Sequence, residues 1–364
     1  MKNNKLALAI SIIGISIPAF AGNPERQGQA GASQLTLNGY ARSSGLGWTY
    51  GGGVTGVEAS FLNPAGMDRN KQKTELAFSR TQWLVGSGIG INTFGFTQKL
   101  GDDGEGGTLG VSVMQFGIKP IMITTEQNPD GGIGTYRVSM TNIGMGYSKS
   151  FSRNISAGIM MRAVSEGIPD AKALGVSLDA GVQYATTIRP TASGLKKNDL
   201  KFGISVKNIG PDMRFKGDGL SYKVQLDNLT KTMEAKTQAV KLPALLNIAC
   251  SYDLKLDKGD ELYNNRLTLG FAFTNHSFYA NQTTYSLEYG YKDYFSLRAG
   301  FVYSAGIFDE STRTSAYTGP MAGLSYDWHA KDGNTISLDY SYRASNPFSG
   351  THSFGLRIGI GSME

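Results

Sequence analysis

Residues 155–184 read ISAGIMMRAVSEGIPDAKALGVSLDAGVQY, and their spacing decides the fold class. Ile155, Ala157, Ile159, Met161 and Ala163 recur at every second position, with Ser156, Gly158 and Arg162 between them. Beyond Pro169 and Asp170 the alternation resumes: Leu174, Val176, Leu178, Ala180, Val182 and Tyr184 oppose Gly175, Ser177, Asp179, Gly181 and Gln183. Successive side chains of a strand point to opposite faces, so each run has one apolar face and one small or polar face. A soluble β-sandwich alternates too. Strands of this length, repeated along a single chain with aromatic residues near their ends, fit a transmembrane β-barrel better, with lipid outside and a polar lumen within.

The same period extends in both directions. Leu267, Leu269, Phe271 and Phe273 oppose Arg266, Thr268 and Gly270, and the last two segments carry Ile336, Leu338, Tyr340 and Tyr342, then Phe354, Leu356, Ile358 and Ile360. About fourteen antiparallel strands are predicted, starting near Glu75, Gly88, Thr108, Val138, Ile155, Ala173, Leu200, Leu242, Arg266, Thr283, Phe295, Ala316, Thr335 and His352. An even count puts both ends of the barrel in the periplasm, so odd-numbered connections are external and long. Lys119 to Arg137, Asn208 to Lys241 and Ser304 to Ser315 obey, and Ser152-Arg153-Asn154 and Lys292-Asp293-Tyr294 are tight internal turns. The short connection at Val85 and the long one from Thr187 to Asp199 do not. Near Asn92 the parity changes, because Ile89 and Ile91 lead into Phe94 and Phe96, which predicts a β-bulge. Tyr147, Phe151, Tyr184, Tyr252, Phe278, Tyr291, Phe295, Tyr303, Tyr326, Trp328, Tyr340 and Tyr342 are expected in two interfacial girdles.

Upstream of the strands lies Ser44 to Met67, SGLGWTYGGGVTGVEASFLNPAGM. It is too glycine-rich for a membrane strand, and with Leu46, Trp48, Val54, Val57, Phe61, Leu62 and Met67 too apolar for a solvated linker. It reads as a plug inside the barrel. Before it stands an export signal: Lys2 and Lys5, an apolar run from Leu6 to Ile17, Pro18, and the small-residue site Ala19-Phe20-Ala21. That run is shorter than the ~20 residues a spanning helix needs. The expected organisation is a signal peptide over residues 1–21, a periplasmic segment over 22–43, a plug over 44–73 and a barrel over 74–364, placed in a Gram-negative outer membrane.

Composition narrows the function. The 364 residues carry a formal charge of +6, which falls to +4 without Lys2 and Lys5, with both signs scattered; nucleic acid is not indicated. A lone cysteine, Cys250, excludes a disulfide framework and reads as a small buried residue. Glycine is abundant at 48 residues, and 18 tyrosines with 17 phenylalanines match the profile of a barrel that needs close packing and interfacial anchors. His276, His329 and His352 sit at strand ends with no metal-binding spacing, and no nucleophile elbow occurs, so no catalytic residue, metal or cofactor is expected. The glycines at 51, 52 and 53 lack the lysine-serine or lysine-threonine pair of a phosphate loop and suit tight packing. Lys71 and Lys73 are placed to meet inner-leaflet phosphates or water. Alternation turns Arg162, Arg266, Arg298, Arg343 and Arg357 to the same side as Asp179, Glu288 and Asp339, which predicts charges pairing across a narrow lumen.

At Asn63-Pro64-Ala65-Gly66 the sequence resembles the FadL-like outer-membrane superfamily, in which such a motif lies in a segment that enters the barrel. Joined to Gly45-Leu46-Gly47, Gly56-Val57-Glu58-Ala59, Arg80-Thr81-Gln82-Trp83, Ser165 to Lys172, Asn208-Ile209-Gly210-Pro211 and Asn346 to His352, it resembles the PorV/PorQ family of type IX secretion systems over essentially the whole mature chain. That resemblance implies a fourteen-stranded barrel that does not itself conduct protein. It would bind secreted proteins bearing a C-terminal signal domain, take them from a SprA/Sov-like translocon and pass them to an attachment complex containing a PorU-like sortase. The cargo surface it implies is the outer rim: Lys119 to Arg137, Glu166 to Lys172, Asn208 to Lys241 and Ser304 to Ser315. The chain departs from common barrels in ending Gly361-Ser362-Met363-Glu364, without a terminal aromatic residue. The alternative is a FadL-type channel for hydrophobic small molecules, with Trp48 and Phe61 lining an apolar path.

Overall fold

A computed structural model describes residues 22–101, 104–188, 198–226, 229–257 and 264–362. The signal region and most of the connection from Thr187 to Asp199 lie outside these residues. Fourteen strands form the wall: β1 (Gln72–Trp83), β2 (Ile89–Lys99), β3 (Thr108–Gly117), β4 (Ser139–Ser150), β5 (Ile155–Ile168), β6 (Ala171–Thr186), β7 (Leu200–Ile209), β8 (Leu245–Lys255), β9 (Asn265–His276), β10 (Gln282–Tyr291), β11 (Phe295–Ser304), β12 (Tyr317–His329), β13 (Thr335–Ser345) and β14 (Thr351–Ser362). Each pairs antiparallel with its sequence neighbours, and β1 pairs with β14 to close the barrel. Closure leaves no free sheet edge, which is what lets strands cross a bilayer with every backbone group paired. Every predicted strand start falls within three residues of the observed one.

The outward faces are apolar and exposed, among them Phe78, Phe94, Met145, Ile159, Leu178 and Leu338, as lipid contact requires. Phe151, Tyr184, Tyr291, Tyr294, Tyr326 and Trp328 are exposed at the end carrying the even-numbered connections, the place for an interfacial girdle. Phe278 is no anchor. It is 2% exposed, with the Arg26 guanidinium 4.3 Å above its ring. Cys250 also departs from expectation: it is half-buried and alternates with the buried, inward Ala249, so it belongs to the outer face of β8.

No bulge interrupts β2, whose register against β1 and β3 is continuous. Ile91 points into the lumen, as Thr93 does, and packs with Met114 and Phe116 near the odd-connection end. The parity change reports a locally apolar lumen, where Leu37 packs against the wall, and not a kink. A bulge does occur between β6 and β7, where the register shifts between Leu178 and Ala180. Asn208 takes a left-handed φ of 61° there, a conformation asparagine tolerates better than most residues.

The chain before β1 fills the barrel. Residues 22–37 lie at the end of the long odd-numbered connections: Asn23 Nδ2 donates to the Ser277 carbonyl, Gln27 Nε2 to that of Thr314 at 2.7 Å, and the Gly31 N–H to that of Lys241 at 2.9 Å. The chain then descends to the opposite end, where Arg69 donates to Ser156 Oγ at 2.8 Å and to the Asn154 carbonyl. Residues 22–43 therefore run from the odd-connection end into the lumen. Glycine and polar content hid this, because among the described residues Ala32, Leu35, Tyr40 and Ala41 are its strongly buried apolar side chains.

Candidate functional site: the plugged lumen

The plug is a series of short helical turns, including Ala41–Ser44, Gly47–Gly52, Ala59–Leu62 and Pro64–Arg69. None is long enough to be stable alone, so each depends on what it packs against. Val54, Val57, Leu62 and Met67 are at most 1% exposed, and with Tyr40, Trp48, Ala59 and Phe61 they cluster against Ala77, Leu245, Ala249 and Ala272 of the wall. Burying each large aliphatic side chain contributes about 1.5–3 kcal/mol. Leu46, 4% exposed, is buried at the start of the turn Gly47–Gly52. Trp48 and Phe61 stack on each other at 6.0 Å.

Asn63 fixes the plug to the wall. Its Oδ1 accepts the Ala65 N–H at 3.2 Å and so caps the turn Pro64–Arg69, where Pro64 suits the first position because its missing N–H has no partner to lose. Its Nδ2 donates to the Gly51 carbonyl at 3.2 Å and the Val182 carbonyl at 3.1 Å. This close approach requires bare backbone on three adjacent strands. A Cβ at Gly203 would meet Asn63 Nδ2 at 2.9 Å, one at Gly181 would strike Asn63 Oδ1, and one at Gly158 would meet Pro64 at 2.6 Å. Ala65 and Gly66 are buried behind it; the Ala65 carbonyl accepts Ser148 Oγ at 2.9 Å, and a Cβ at Gly66 would strike the Val54 carbonyl. An Asn63→Ala substitution removes the cap and these donors while leaving the wall intact. The urea midpoint of the purified barrel should fall by the equivalent of about 1–3 kcal/mol; an unchanged midpoint would show that Asn63 is not the anchor.

Among the described residues, the charges predicted to pair across the lumen instead form two groups along the wall, with the plug between its two sides. One group is Arg162 on β5, whose Nε lies 2.9 Å from Asp179 Oδ2 on the next strand. Arg162 also donates to the Ser60 carbonyl of the plug and to Ser112 Oγ, and Asp179 accepts the Asn208 N–H at 2.8 Å, tying the bulge to the same pair. The second group crosses six neighbouring strands. Glu288 takes Arg266 at 2.9 Å and Arg298 at 2.7 Å; Arg298 reaches Ser325 Oγ at 2.6 Å; Ser325 donates to Asp339; and Asp339 binds Arg357 Nε at 2.7 Å. Arg357 also reaches Asp327 at 3.1 Å. Arg343 belongs to neither group: its guanidinium lies 3.8 Å over the Tyr317 ring.

Several lumen residues escaped the sequence reading. Lys207 is fully buried, its Nζ 3.6 Å from the centre of the Phe61 ring and 5.1 Å from that of Trp48. The alternation of Gly203, Ser205 and Lys207 on β7 carries that signal. Arg42, Glu58 and the pair Lys201–Asp253, at 2.7 Å, also face inward. A small cavity of about 20 Å³ beside Tyr40, Thr93 and Asn142, each with a buried polar atom that has no protein partner, is large enough for a bridging water. Among the described residues no group of histidine, cysteine or carboxylate side chains could hold a metal. His276 is buried against Tyr279, and His352 Nδ1 lies 2.9 Å from the Tyr340 hydroxyl.

At the odd-connection end, Ala32, Leu35, Val164, Ala173, Met213 and Leu242 form a second apolar cluster that closes the lumen beneath the loops. Residues 166–172 are no loop: β5 runs to Ile168, β6 starts at Ala171, and Glu166 is buried facing inward. The free rim consists of hairpins. Ile121–Met122 pairs with Thr135–Tyr136, and Ser221–Leu226 pairs with Leu229–Glu234. In the connection 305–316, the Ser311 hydroxyl and N–H hold the exposed Asp309 carboxyl below its ordinary range.

The toluene transporter TodX of Pseudomonas putida superposes on this chain with a TM-score of 0.51 at 13% sequence identity, covering 88% of this chain and 97% of TodX. The fold is that of an outer-membrane β-barrel. The outer-membrane protein Omp33 of Acinetobacter baumannii gives a TM-score of 0.36 at 12% identity, over 79% of this chain and 97% of its own. No family model and no curated protein matches the sequence.

Proposed function

We propose that this barrel is a non-enzymatic secretion component similar to PorV. It would hold secreted proteins by a C-terminal signal domain at its outer rim, receive them from a SprA/Sov-like translocon and release them to a PorU-like attachment complex. The observation that carries the reading is a lumen packed with its own chain beneath outer hairpins whose apolar side chains stand exposed: Ile121, Met122, Ile133, Tyr222, Leu229 and Met233. Apolar groups of that number above a closed pore suit protein contact. Affinity-tagged protein extracted gently from native membranes should bring down a SprA-like translocon or signal-domain cargo, and removal of residues 221–234 should cut that recovery at least about tenfold with the barrel still folded. Recovery of neither partner would sink the proposal.

A second reading, a channel for hydrophobic small molecules, is favoured by the likeness in fold to a toluene transporter. Against it stand the stacking of Trp48 on Phe61 and the charged inner wall. Loss of hydrocarbon uptake on gene deletion, with secretion intact, would promote it over the first.

A further inference from the structure

Between the plug and strands β7 to β10 lies a cavity of about 260 Å³. Lys71, exposed just before β1, and Lys201 and Arg266, each the second residue of its strand, set its rim at the even-connection end. Arg42 and Thr49 of the plug line it as well. Four cationic side chains thus face two carboxylates, Asp253 and Glu288, and both carboxylates are already taken. Asp253 accepts Lys201 Nζ and Thr268 Oγ1, each at 2.7 Å. Glu288 accepts Arg266 and Arg298.

Arg42 is left over. Its guanidinium lies 5.1 Å over the Tyr50 ring, no carboxylate of the described residues lies within ion-pair distance, and its buried Nε has no hydrogen-bond partner. The Nε of Arg266, on the same cavity, is buried and unpartnered as well. A guanidinium carries five donors in a planar fork that matches an oxyanion, and an unpaired charge away from bulk water is costly to keep. The hydroxyls of Ser251 and Thr55 add neutral donors around the same space, whereas Thr49 donates to the Leu46 carbonyl and Ser286 to Thr49 Oγ1. We infer that this cavity is a binding site for a small soluble oxyanion of the phosphate class, entering from the even-connection end and held by Arg42 with Arg266, Lys201 and Lys71.

The test is calorimetric titration of inorganic pyrophosphate into the mature protein in phosphatidylcholine nanodiscs. Saturable binding of one equivalent with Kd below about 1 mM is expected, weakened about tenfold by Arg42→Gln. Lys71→Gln, exposed and outside the packed plug, should weaken it about threefold, and this second variant keeps the inference testable if Arg42→Gln does not fold. Absence of saturable binding, or an affinity unmoved by both substitutions, would overturn the site. The same titration in phosphatidylglycerol nanodiscs separates the sources of the oxyanion: an unchanged Kd supports a soluble ligand, and loss of binding would overturn it in favour of a lipid headgroup. Neither outcome bears on rim-bound cargo, so failure here leaves the secretion reading standing, and the reverse.

Discussion

Deleting residues 22–67 should turn a closed barrel into an open pore, raising single-channel conductance in planar bilayers at least about tenfold over the intact protein. The wall should survive, because its hydrogen bonds run between strands and close on themselves from β14 to β1, independent of the plug. What the deletion removes is the apolar cluster around Val54, Val57, Leu62 and Met67 and the mouth seal around Ala32 and Leu35. Retention of the heat-modifiable mobility of a folded barrel would show that the strands still close. The order of losses also matters: leakage with cargo capture retained fits a plug that only seals, whereas loss of capture first would make the plug itself part of the binding surface. A large steady conductance from the intact protein would contradict the packed lumen.

Arg162→Met should cost about 3–5 kcal/mol, read as a fall in the urea midpoint of unfolding. The substitution keeps most of the side-chain volume but leaves Asp179, which is fully buried, facing the plug as an uncompensated charge. It also releases the plug carbonyl of Ser60, so a rise in conductance should accompany the loss. Adding Asp179→Asn should recover at least half of the stability, because the cost arises chiefly from the orphaned carboxylate and less from the missing attraction. An Arg162→Met protein as stable as the parent would mean that water already screens the pair. Arg343→Met offers the contrast: with the Tyr317 ring as its partner among the described residues, it should cost about 1 kcal/mol.

Barrel, strand count and inward side chains were legible because each is a local property. A strand's period of two is written residue by residue, and lipid demands an apolar outer face along its whole length. The same logic assigned Arg162, Asp179, Glu288, Arg298, Asp339 and Arg357 to the inner face, and ion pairs join them along the wall. It misread Ile89 and Ile91, because alternation records polarity and not direction; an inner wall that meets an apolar plug takes apolar side chains as well.

The sequence by itself determined the wall: an antiparallel closed barrel, its strand starts, and a segment from Ser44 to Met67 too apolar to stay in water. Only the tertiary structure decided how that segment lies. Its path from one end of the lumen to the other and the seat of Asn63 against Gly181 and Gly203 depend on contacts between residues more than a hundred positions apart, and the pairing of the charges along the wall and the unpaired Arg42 depend on how strands and plug lie in space. Such contacts leave no period in the chain, since a glycine that admits a distant backbone looks the same as one that merely turns.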